Sequence, residues 1–198
     1  MRHVLFIIPL VLFACARAPV SDGWTTLIDG ARGLENFDRV GDARWRAEGG
    51  AIVGDGGTWH SFLVSRRAYG DFQLRAEFRA QRNTNSGIHV RAQDPANVTP
   101  KNSYEVNIFD RAPAPEFGTG SIVGFAKVNS LHTAADRWST YVITAKGATI
   151  TAELNGVRTV ELRDSTFARG YIALQWGVLP KDVPGGRIEW RKVRIREF

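Results

Sequence analysis

The feature that most constrains this chain is a long succession of short segments with strand-like patterning, separated by glycine, proline, asparagine and aspartate. Roughly a dozen such segments follow one another from Trp24 to Phe198, and none has the periodicity of an amphipathic helix. The dipeptides Gly49-Gly50 and Asn155-Gly156 are typical of tight hairpin turns. Many short strands with hairpin signals predict an all-β fold, a jelly-roll sandwich of two antiparallel sheets.

Three of these predicted strands follow one another from Asp71 to Asp110. Side chains in a strand point alternately to its two faces. One face of the three strands is apolar, with Phe72, Leu74, Ala76, Phe78, Ile88, Val90, Tyr104, Val106 and Ile108. The opposite face carries Glu77, Arg79, His89, Arg91, Glu105 and Asn107. A face that only meets solvent more usually carries Thr, Ser and Lys. We therefore predict that these polar side chains lie together in one site, above a core formed by the apolar ones.

The composition is that of an ordinary globular domain. Of 198 residues, 43% are hydrophobic and 23% are charged, which is enough apolar material for one sizeable core. The formal net charge of +6 comes from 26 basic and 20 acidic residues spread along the chain. Its most basic segment, Arg191 to Arg196, is interpreted as the outer face of a last strand. Without a clustered basic patch interleaved with aromatic residues, nucleic-acid binding is not expected.

The first fifteen residues have the pattern of an export signal. A short basic start precedes an apolar run of about ten residues, which is too short to span a bilayer. The segment Leu12 to Cys15 resembles a bacterial lipoprotein signal, after which Cys15, the only cysteine, would carry the lipid. Ordinary cleavage near Ala16 or Ala18 is the alternative. The predicted organisation is a signal at 1–15, a tether at 16–23 and a β-sandwich domain at 24–198, in an exported, periplasmic or membrane-anchored lipoprotein of a bacterial envelope.

No standard nucleophile-elbow, phosphate-loop or dinucleotide-binding motif is present in the sequence. The histidines that follow the signal are His60, His89 and His132, and their spacing matches no common metal motif. We therefore expect no cofactor. A divalent metal held by oxygen ligands stays open, because carboxylate and amide side chains follow closely between Glu105 and Asp110.

The segment Glu105 to Asp110 can be compared with the Glu-x-Asp-x-x-Glu strand of sandwich-fold retaining glycosidases. Those enzymes need two carboxyl groups about 5–5.5 Å apart on one face. The middle position here is Asn107, and alternation sends Asp110 to the opposite face. The remaining candidate pair is Glu77 with Glu105, from different strands.

Several short motifs occur in an order that resembles the 3-keto-disaccharide hydrolase family. They are Trp24 to Gly30, Asp71 to Arg79, Asn85 to Ile88, Tyr104 to Asn107 with Asp110, Thr119-Gly120, Trp138, Leu154 to Gly156, Gly170 to Gln175 and Arg194 to Glu197. The resemblance spans Gly23 to Phe198 and implies a concanavalin-A-like lectin or glucanase fold. Two positions depart from the family's pattern. Asn107 stands where the family usually has Gln, and Trp176-Gly177 replaces an Asp/Asn-His-Gly-like segment after Gln175.

The resemblance implies cleavage of 3-keto-glycosides. A keto group at C3 acidifies the C2 proton, so that a base can remove it, the C1 substituent can leave and water can add to the double bond. The implied base is Glu105 or His89, with Glu77 as the third member of the catalytic set. The implied substrate-binding residues are Arg79, Arg91, Asn107, Lys127, Gln175 and Trp176, with Arg91 or Lys127 at the oxyanion. Trp59 and Trp176 are candidates for stacking on a sugar ring.

Other interpretations stay open at this point. A non-catalytic carbohydrate-binding module can use the same fold and cleft, and a retaining glycosidase ranks third. The charged residues Glu77, Arg79, Arg91 and Glu105 can also form an ordinary cross-strand ladder, in which each ion pair contributes only tenths of a kcal/mol. Whether the chain is an enzyme or a binding module, the expected partner is a carbohydrate.

Overall fold

The computed structural model describes residues 23–179 and 185–198 of the chain. The predicted signal, Cys15 and residues 16–22 of the tether lie outside this part and stay predictions. Within it the chain forms thirteen strands and two short 3-10 helices, Leu34–Asn36 and Pro115–Phe117, and no helix is long and apolar enough to cross a membrane. The strands are β1 (Thr25–Asp29), β2 (Phe37–Val40), β3 (Arg44–Glu48), β4 (Ala51–Asp55), β5 (Ser61–Tyr69), β6 (Phe72–Ala80), β7 (Ser86–Ala92), β8 (Tyr104–Ile108), β9 (Trp138–Lys146), β10 (Thr149–Leu154), β11 (Val157–Arg163), β12 (Gly170–Trp176) and β13 (Ile188–Glu197).

These strands form two antiparallel sheets that pack face to face, which confirms the predicted all-β sandwich. The larger sheet has the order β11-β10-β9-β6-β13-β4-β3, and β1 pairs with β13 beyond the end of β4. The smaller sheet has the order β2-β5-β12-β7-β8. Because the chain changes sheets repeatedly, strands that are neighbours in space are often distant in sequence.

The core lies between the two sheets and is built from alternate residues of each strand. In β6, Phe72, Leu74 and Phe78 are fully buried, whereas Arg75 and Arg79 are exposed. The smaller sheet contributes, among others, Ile88, Val90, Tyr104, Val106, Ile108, Leu174 and Trp176. The predicted apolar face of each of the three central strands is therefore confirmed as core.

Two predicted hairpins are confirmed by their backbone geometry. Asn155 and Gly156, between β10 and β11, have φ values of 51° and 83°. Gly49 and Gly50, between β3 and β4, have φ values of 59° and 77°. A type I′ turn needs positive φ at both central residues, which Gly adopts without strain and Asn tolerates.

The prediction that the three central strands share one polar face is wrong, because they do not belong to one sheet. β6 lies in the larger sheet between β9 and β13, whereas β7 and β8 are neighbours in the smaller sheet. The chain crosses from one sheet to the other between Ala80 and Ser86. Strands of both sheets bury an apolar face in the core and carry charged residues on the other face, so the alternation of β6 does not show which sheet it joins. The polar residues of β6 therefore lie on the opposite side of the sandwich from those of β7 and β8.

Candidate functional site

A cleft of about 780 Å³ lies over the outer face of the smaller sheet. Its floor is formed by Phe62 of β5, Gln175 of β12, and Glu105 and Asn107 of β8. Loops form its walls and contribute Trp59, His60, Asn85, Ala96 to Pro100, Pro113, Phe117, Val178 and Leu179. Beside the floor, Phe62, Val64, Ala92, Val98 and Ala173 form a small apolar cluster that is separate from the main core. The cleft thus combines an apolar lining with a few polar side chains, as ligand pockets commonly do.

Strand register places Glu105 next to His89 on the floor of the cleft. His89 of β7 pairs with Glu105 of β8 on one side and with Ala173 of β12 on the other. A Cβ atom on Gly87 would lie 3.0 Å from Oε1 and 3.1 Å from Cγ of Glu105. The missing side chain at Gly87 therefore gives the Glu105 side chain room to lie over β7. As a result, Glu105 Oε1 and His89 Nε2 are 3.5 Å apart.

The hydrogen bonds of His89 assign its tautomer. The Ser103 hydroxyl donates to the carbonyl of Thr99 at 2.6 Å, so its oxygen accepts from Nδ1 of His89 at 2.8 Å. Nδ1 then carries a proton, and Nε2 is left to accept one. Nε2 lies 3.4 Å from Nε2 of Gln175 as well as 3.5 Å from Glu105. This arrangement lets His89 share a proton with Glu105.

The two members of this pair have different access to a ligand. His89 is fully buried and packs edge-on against the ring of Phe62, whereas Glu105 lines the cleft. Among the described residues that line the cleft, Glu105 is the only carboxylate. A bound molecule can therefore touch Glu105 directly, while His89 contacts Glu105 from the interior of the protein. The sequence left the choice between these two bases open.

Two buried polar atoms beside the pair have no hydrogen-bond partner within the described chain. They are Oε1 of Gln175 and Nδ1 of His60, and both residues line the cleft. A buried polar atom without a partner costs about 1–3 kcal/mol. A ligand that supplies a donor to Gln175 and a partner to His60 would recover that cost. His60 lies in the loop that precedes β5, and only the tertiary structure brings it to the cleft.

The titration of His60 provides a test of this geometry. Burial lowers the pKa of His60 below its ordinary value of 6.5, the nearby Glu105 carboxylate raises it, and His89 lowers it. We expect the His60 imidazole to titrate below 6.5 in an NMR pH series, and the Glu105→Gln variant to titrate lower still. Because native His60 binds its proton less readily than in the unfolded chain, its contribution to the free energy of unfolding falls as the pH drops through 6.5 towards the native pKa. An unchanged or higher value in Glu105→Gln would contradict the proximity of the two groups.

Asp42 fixes the loop that carries Trp59 and His60. Its carboxylate accepts from the backbone N–H of Thr58 at 2.9 Å, from the Thr58 hydroxyl at 2.5 Å and from the N–H of Trp59 at 3.3 Å. These bonds, those of Thr58 above all, lower the pKa of Asp42. The Asp42 carboxylate therefore anchors the wall of the cleft that carries Trp59, whose side chain is 63% exposed.

We expect Asp42→Ala to weaken ligand binding without removing any group that lines the cleft. The loop would lose three of its anchoring bonds, so Trp59 would occupy a wider range of positions, and the dissociation constant of a molecule that binds in the cleft should rise several-fold. Asp29→Ala is the matched control, because it removes an exposed carboxylate on β1 of the larger sheet. Equal affinity of wild type and Asp42→Ala would show that the loop holds its position without these bonds.

Four of the predicted site residues lie away from the cleft. Glu77 and Arg79 are on the outer face of the larger sheet, where they bind Arg191 and Glu189, respectively. Trp176 points to the opposite side of β12 from Gln175 and is fully buried in the main core, with its indole N–H donating to the carbonyl of Gly186. Lys127 is exposed and does not line the cleft. The structure therefore does not bring these four residues together with Glu105 and His89 in this cleft.

Arg91 also does not line the cleft, because a β-bulge interrupts the alternation of side chains along β7. His89 pairs with Ala173 and Ala92 with Tyr171, so two residues of β7 oppose one of β12. Arg91 lies in this bulge with φ of 54° and is only 1% exposed. Its guanidinium donates to the carbonyls of Gly70, Gly147 and Phe167 and to the carboxylate of Asp71. Arg91 therefore joins loops of the two sheets and does not line the cleft, where an oxyanion would form.

Asn107 and Asp110 reach the site region but use their polar groups within the protein. Asn107 lines the cleft, and its amide donates to the carbonyl of Phe117 at 2.6 Å. The Asp110 carboxylate accepts from the Thr119 hydroxyl and from the backbone N–H groups of Ala134 and Ala135. In the described part of the chain no group of three or more His, Cys, Asp or Glu side chains is placed to hold a metal ion.

The comparison with known families agrees with this architecture. The sequence profile of the 3-keto-alpha-glucoside-1,2-lyase-like domain matches residues 23–196. The chain belongs to this family. The match confirms the resemblance to 3-keto-disaccharide hydrolases that the ordered motifs indicated. No curated protein sequence matches the chain.

Solved structures that are similar to this chain share its fold at low sequence identity. A candidate glycosyl hydrolase from Parabacteroides distasonis is 22% identical, with a TM-score of 0.69 over 88% of this chain and 99% of that chain. The carbohydrate-binding module CBM66 from Bacillus subtilis is 17% identical, with a TM-score of 0.58 over 88% and 96%. A Bacillus subtilis protein of unknown function with a galectin-like fold is 10% identical, with a TM-score of 0.63 over 83% and 90%. These likenesses confirm the jelly-roll sandwich.

This 3-keto-alpha-glucoside-1,2-lyase-like domain lacks the histidine that the family pattern leads one to expect shortly after Gln175. Position 177 is glycine, and a Cβ atom there would lie 2.8 Å from Nδ1 of His60. The imidazole of His60 therefore occupies the space that a side chain at position 177 would enter. In this lyase-like domain the imidazole beside Gly177 therefore comes from His60, immediately before β5, and not from the segment that follows β12.

Proposed function

We propose that this chain breaks the glycosidic bond of 3-keto-glycosides by elimination. Membership of the 3-keto-alpha-glucoside-1,2-lyase-like family supports a carbohydrate-related function, and the cleft supports a reaction that starts with proton abstraction by a carboxylate. One observation carries the proposal: Glu105 lines the cleft, and His89 lies buried behind it at 3.5 Å, able to share its proton.

The proposed reaction follows from the acidity of the sugar. A ketone at C3 acidifies the C2–H bond, because the electron pair left at C2 delocalises onto the C3 oxygen. Glu105 takes the C2 proton, the enolate forms, and its electrons then form a C1=C2 double bond as the C1–O bond breaks. The departing oxygen takes up a proton, and water adds across C1=C2 to complete a net hydrolysis. A positioned base typically contributes about 10²–10⁴-fold to such a rate.

His60 is the proposed partner of the enolate oxygen. Burial lowers its pKa, so that its imidazole is neutral at pH 7 and donates one hydrogen bond through its ring N–H. A neutral imidazole can polarise a carbonyl in this way. The unpartnered Oε1 of Gln175 accepts from a sugar hydroxyl, and the exposed ring of Trp59 packs on the sugar. These roles would replace those that the family resemblance implied for Arg91, Lys127 and Trp176.

A retaining glycosidase is less well supported by the same cleft. That chemistry needs two carboxyl groups about 5–5.5 Å apart, and Glu105 is the only carboxylate among the described residues that line the cleft. Glu77, the other member of the pair considered from the sequence, is in the larger sheet. An elimination, by contrast, needs a single base.

The proposal is tested with a 3-keto-disaccharide and its unoxidised parent. We expect the protein to release the monosaccharides from the keto sugar and to leave the parent sugar intact. Turnover of both sugars would favour a glycosidase that does not depend on C2 acidity. If neither sugar is cleaved, the proposed elimination is contradicted.

A non-catalytic carbohydrate-binding module is the second candidate, and a specific observation favours it. The cleft is largely apolar, and its most exposed wall residue, Trp59, is of the kind that stacks on a sugar ring. This candidate predicts saturable binding of the keto sugar by calorimetry, with no product in the mixture after prolonged incubation. Trp59→Ala should then abolish binding, whereas Glu105→Gln should leave it intact.

We also propose that the chain is exported and lipidated at Cys15. The support is in the sequence alone, where an apolar run ends at the single cysteine. In a bacterial host, metabolic labelling with a fatty acid should mark the wild type, and Cys15→Ala should carry no label. A labelled Cys15→Ala protein, or an unlabelled wild type cleaved near Ala16 or Ala18, would contradict lipidation.

A further inference from the structure

The outer face of the larger sheet, on the opposite side of the sandwich from the cleft, carries a row of alternating cations and aromatic rings. The Arg194 guanidinium carbon lies 5.1 Å from the centre of the Trp24 ring, and that of Arg196 lies 5.2 Å from the same ring. Arg196 also lies 5.9 Å from the Phe198 ring, and the Lys146 ammonium is 5.7 Å from it. We call these five residues, Arg194, Trp24, Arg196, Phe198 and Lys146, the cation–aromatic row.

Strand register adds a further cation to this row. Arg75 of β6 lies directly opposite Arg194 of β13 and is exposed. The two like charges add to the positive charge of this part of the face. Further along the same face, charges of opposite sign meet: Arg191 donates to Glu77 and Arg79 donates to Glu189. The like-charged pair thus lies in the part of the face that also carries the row.

The chemistry of the row fits a layer of phosphate groups. A guanidinium that stacks on an aromatic ring still presents its N–H donors in its own plane, where they can bind phosphate oxygens. Tryptophan is enriched at the level of lipid headgroups, because its ring is apolar and its N–H is polar. We propose that the cation–aromatic row, together with Arg75, docks the domain on the anionic headgroups of a phospholipid membrane.

The place where the chain enters the domain favours a membrane over another anionic partner. Trp24 belongs to the row, so the residues that lead back to the predicted lipidation site at Cys15 start at this face. Residues 16–23 span at most about 28 Å when fully extended. An acyl chain on Cys15 would therefore keep this face within reach of the bilayer, and the charges would orient the domain on it. In that orientation the cleft, which lies over the other sheet, faces away from the lipid.

Vesicle binding of the full chain tests this inference. Cys15→Ser is introduced throughout, so that no acyl chain is attached, and the apolar N-terminal segment is the same in every variant. Binding is measured by co-sedimentation with vesicles of phosphatidylcholine, alone or mixed with phosphatidylglycerol. We expect tighter binding to the mixed vesicles, weakened by added salt. Replacing Arg75, Arg194 and Arg196 together by Gln should weaken binding to the mixed vesicles on the order of 100-fold, because each basic residue near an anionic surface contributes about 1 kcal/mol, which is about fivefold.

The matched control removes three exposed cations elsewhere. Arg39→Gln, Lys101→Gln and Arg111→Gln together lower the net charge equally, on β2 and on loops that join the smaller sheet. The control should bind the mixed vesicles like the parent, with near-ultraviolet circular dichroism verifying that both variants are folded. An equal loss in the control, or equal binding of the parent protein to both vesicle types, would overturn the proposal. The proposal would also be overturned if the Arg75, Arg194 and Arg196 triple variant kept vesicle binding but no longer bound an immobilised anionic polysaccharide. The row would then recognise a polysaccharide and not a membrane.

Discussion

Replacement of Glu105 by Gln is expected to lower the rate of 3-keto-disaccharide cleavage by about 10²–10⁴-fold, the usual contribution of a positioned general base. Gln keeps the length and hydrogen-bonding reach of the side chain but cannot take a proton. Binding of the keto sugar should persist in calorimetry, because Trp59, His60 and Gln175 are untouched. The effect should therefore appear in kcat more than in KM.

Glu77→Gln is the matched control for this prediction. Glu77 was the other carboxylate that the sequence offered for a pair with Glu105, but it accepts a hydrogen bond from Arg191 on the far side of the sandwich. Its replacement should leave the rate unchanged. Full activity in Glu105→Gln would remove Glu105 as the base, and loss of activity in Glu77→Gln would contradict the assignment of the site to the smaller sheet.

Replacement of Arg91 by Met is expected to lower the free energy of unfolding by about 3 kcal/mol, with a fall in Tm of roughly 6–12 °C. The substitution keeps much of the volume but leaves the carbonyls of Gly70, Gly147 and Phe167 without their donor. A denaturant titration and a thermal melt measure the effect. Because Arg91 does not line the cleft, the folded variant should bind the keto sugar as the wild type does.

Arg79→Met separates this effect from the loss of any arginine. The Arg79 side chain is 45% exposed and pairs with Glu189, which Arg187 also contacts at 3.2 Å. Its loss should cost less than about 1 kcal/mol, as is usual for exposed ion pairs. An Arg91→Met protein of normal stability with a raised KM would restore the interpretation of Arg91 as a substrate ligand.

The contrast between Arg91 and His89 shows where reading a strand by alternation fails. The two residues are two positions apart, so simple alternation assigns both to the polar face. One extra residue in β7 turns Arg91 away towards the loops of both sheets, and brings Ala92 into the apolar cluster beside the cleft. Nothing in the local sequence marks this bulge, because Arg91 adopts a positive φ without being glycine or asparagine. Its tertiary hydrogen bonds hold it there.

The misplacement of Trp176 and the unforeseen place of His60 at the cleft have different causes. Alternation along β12 already implies that Trp176 and Gln175 point to opposite faces, so the burial of Trp176 was predictable from the strand pattern. His60 was not, because it precedes β5, and only the pairing of β5 with β12 brings it beside Gly177. A residue at a strand end acquires a function from its spatial neighbours, which sequence spacing does not reveal.

The sequence by itself determined the all-β class, the hairpin turns, the inner face of each strand and the membership of the family. These properties depend on short-range rules: side chains alternate every residue, Asn-Gly turns accept positive φ, and apolar faces must be buried. Only the tertiary structure decided which strands share a sheet, and hence that Glu105, His89, Gln175 and His60 meet while Glu77 and Arg79 lie behind them. The physical reason is that strands of both sheets must bury one apolar face, so alternation does not assign a strand to a sheet, and only long-range strand pairing does.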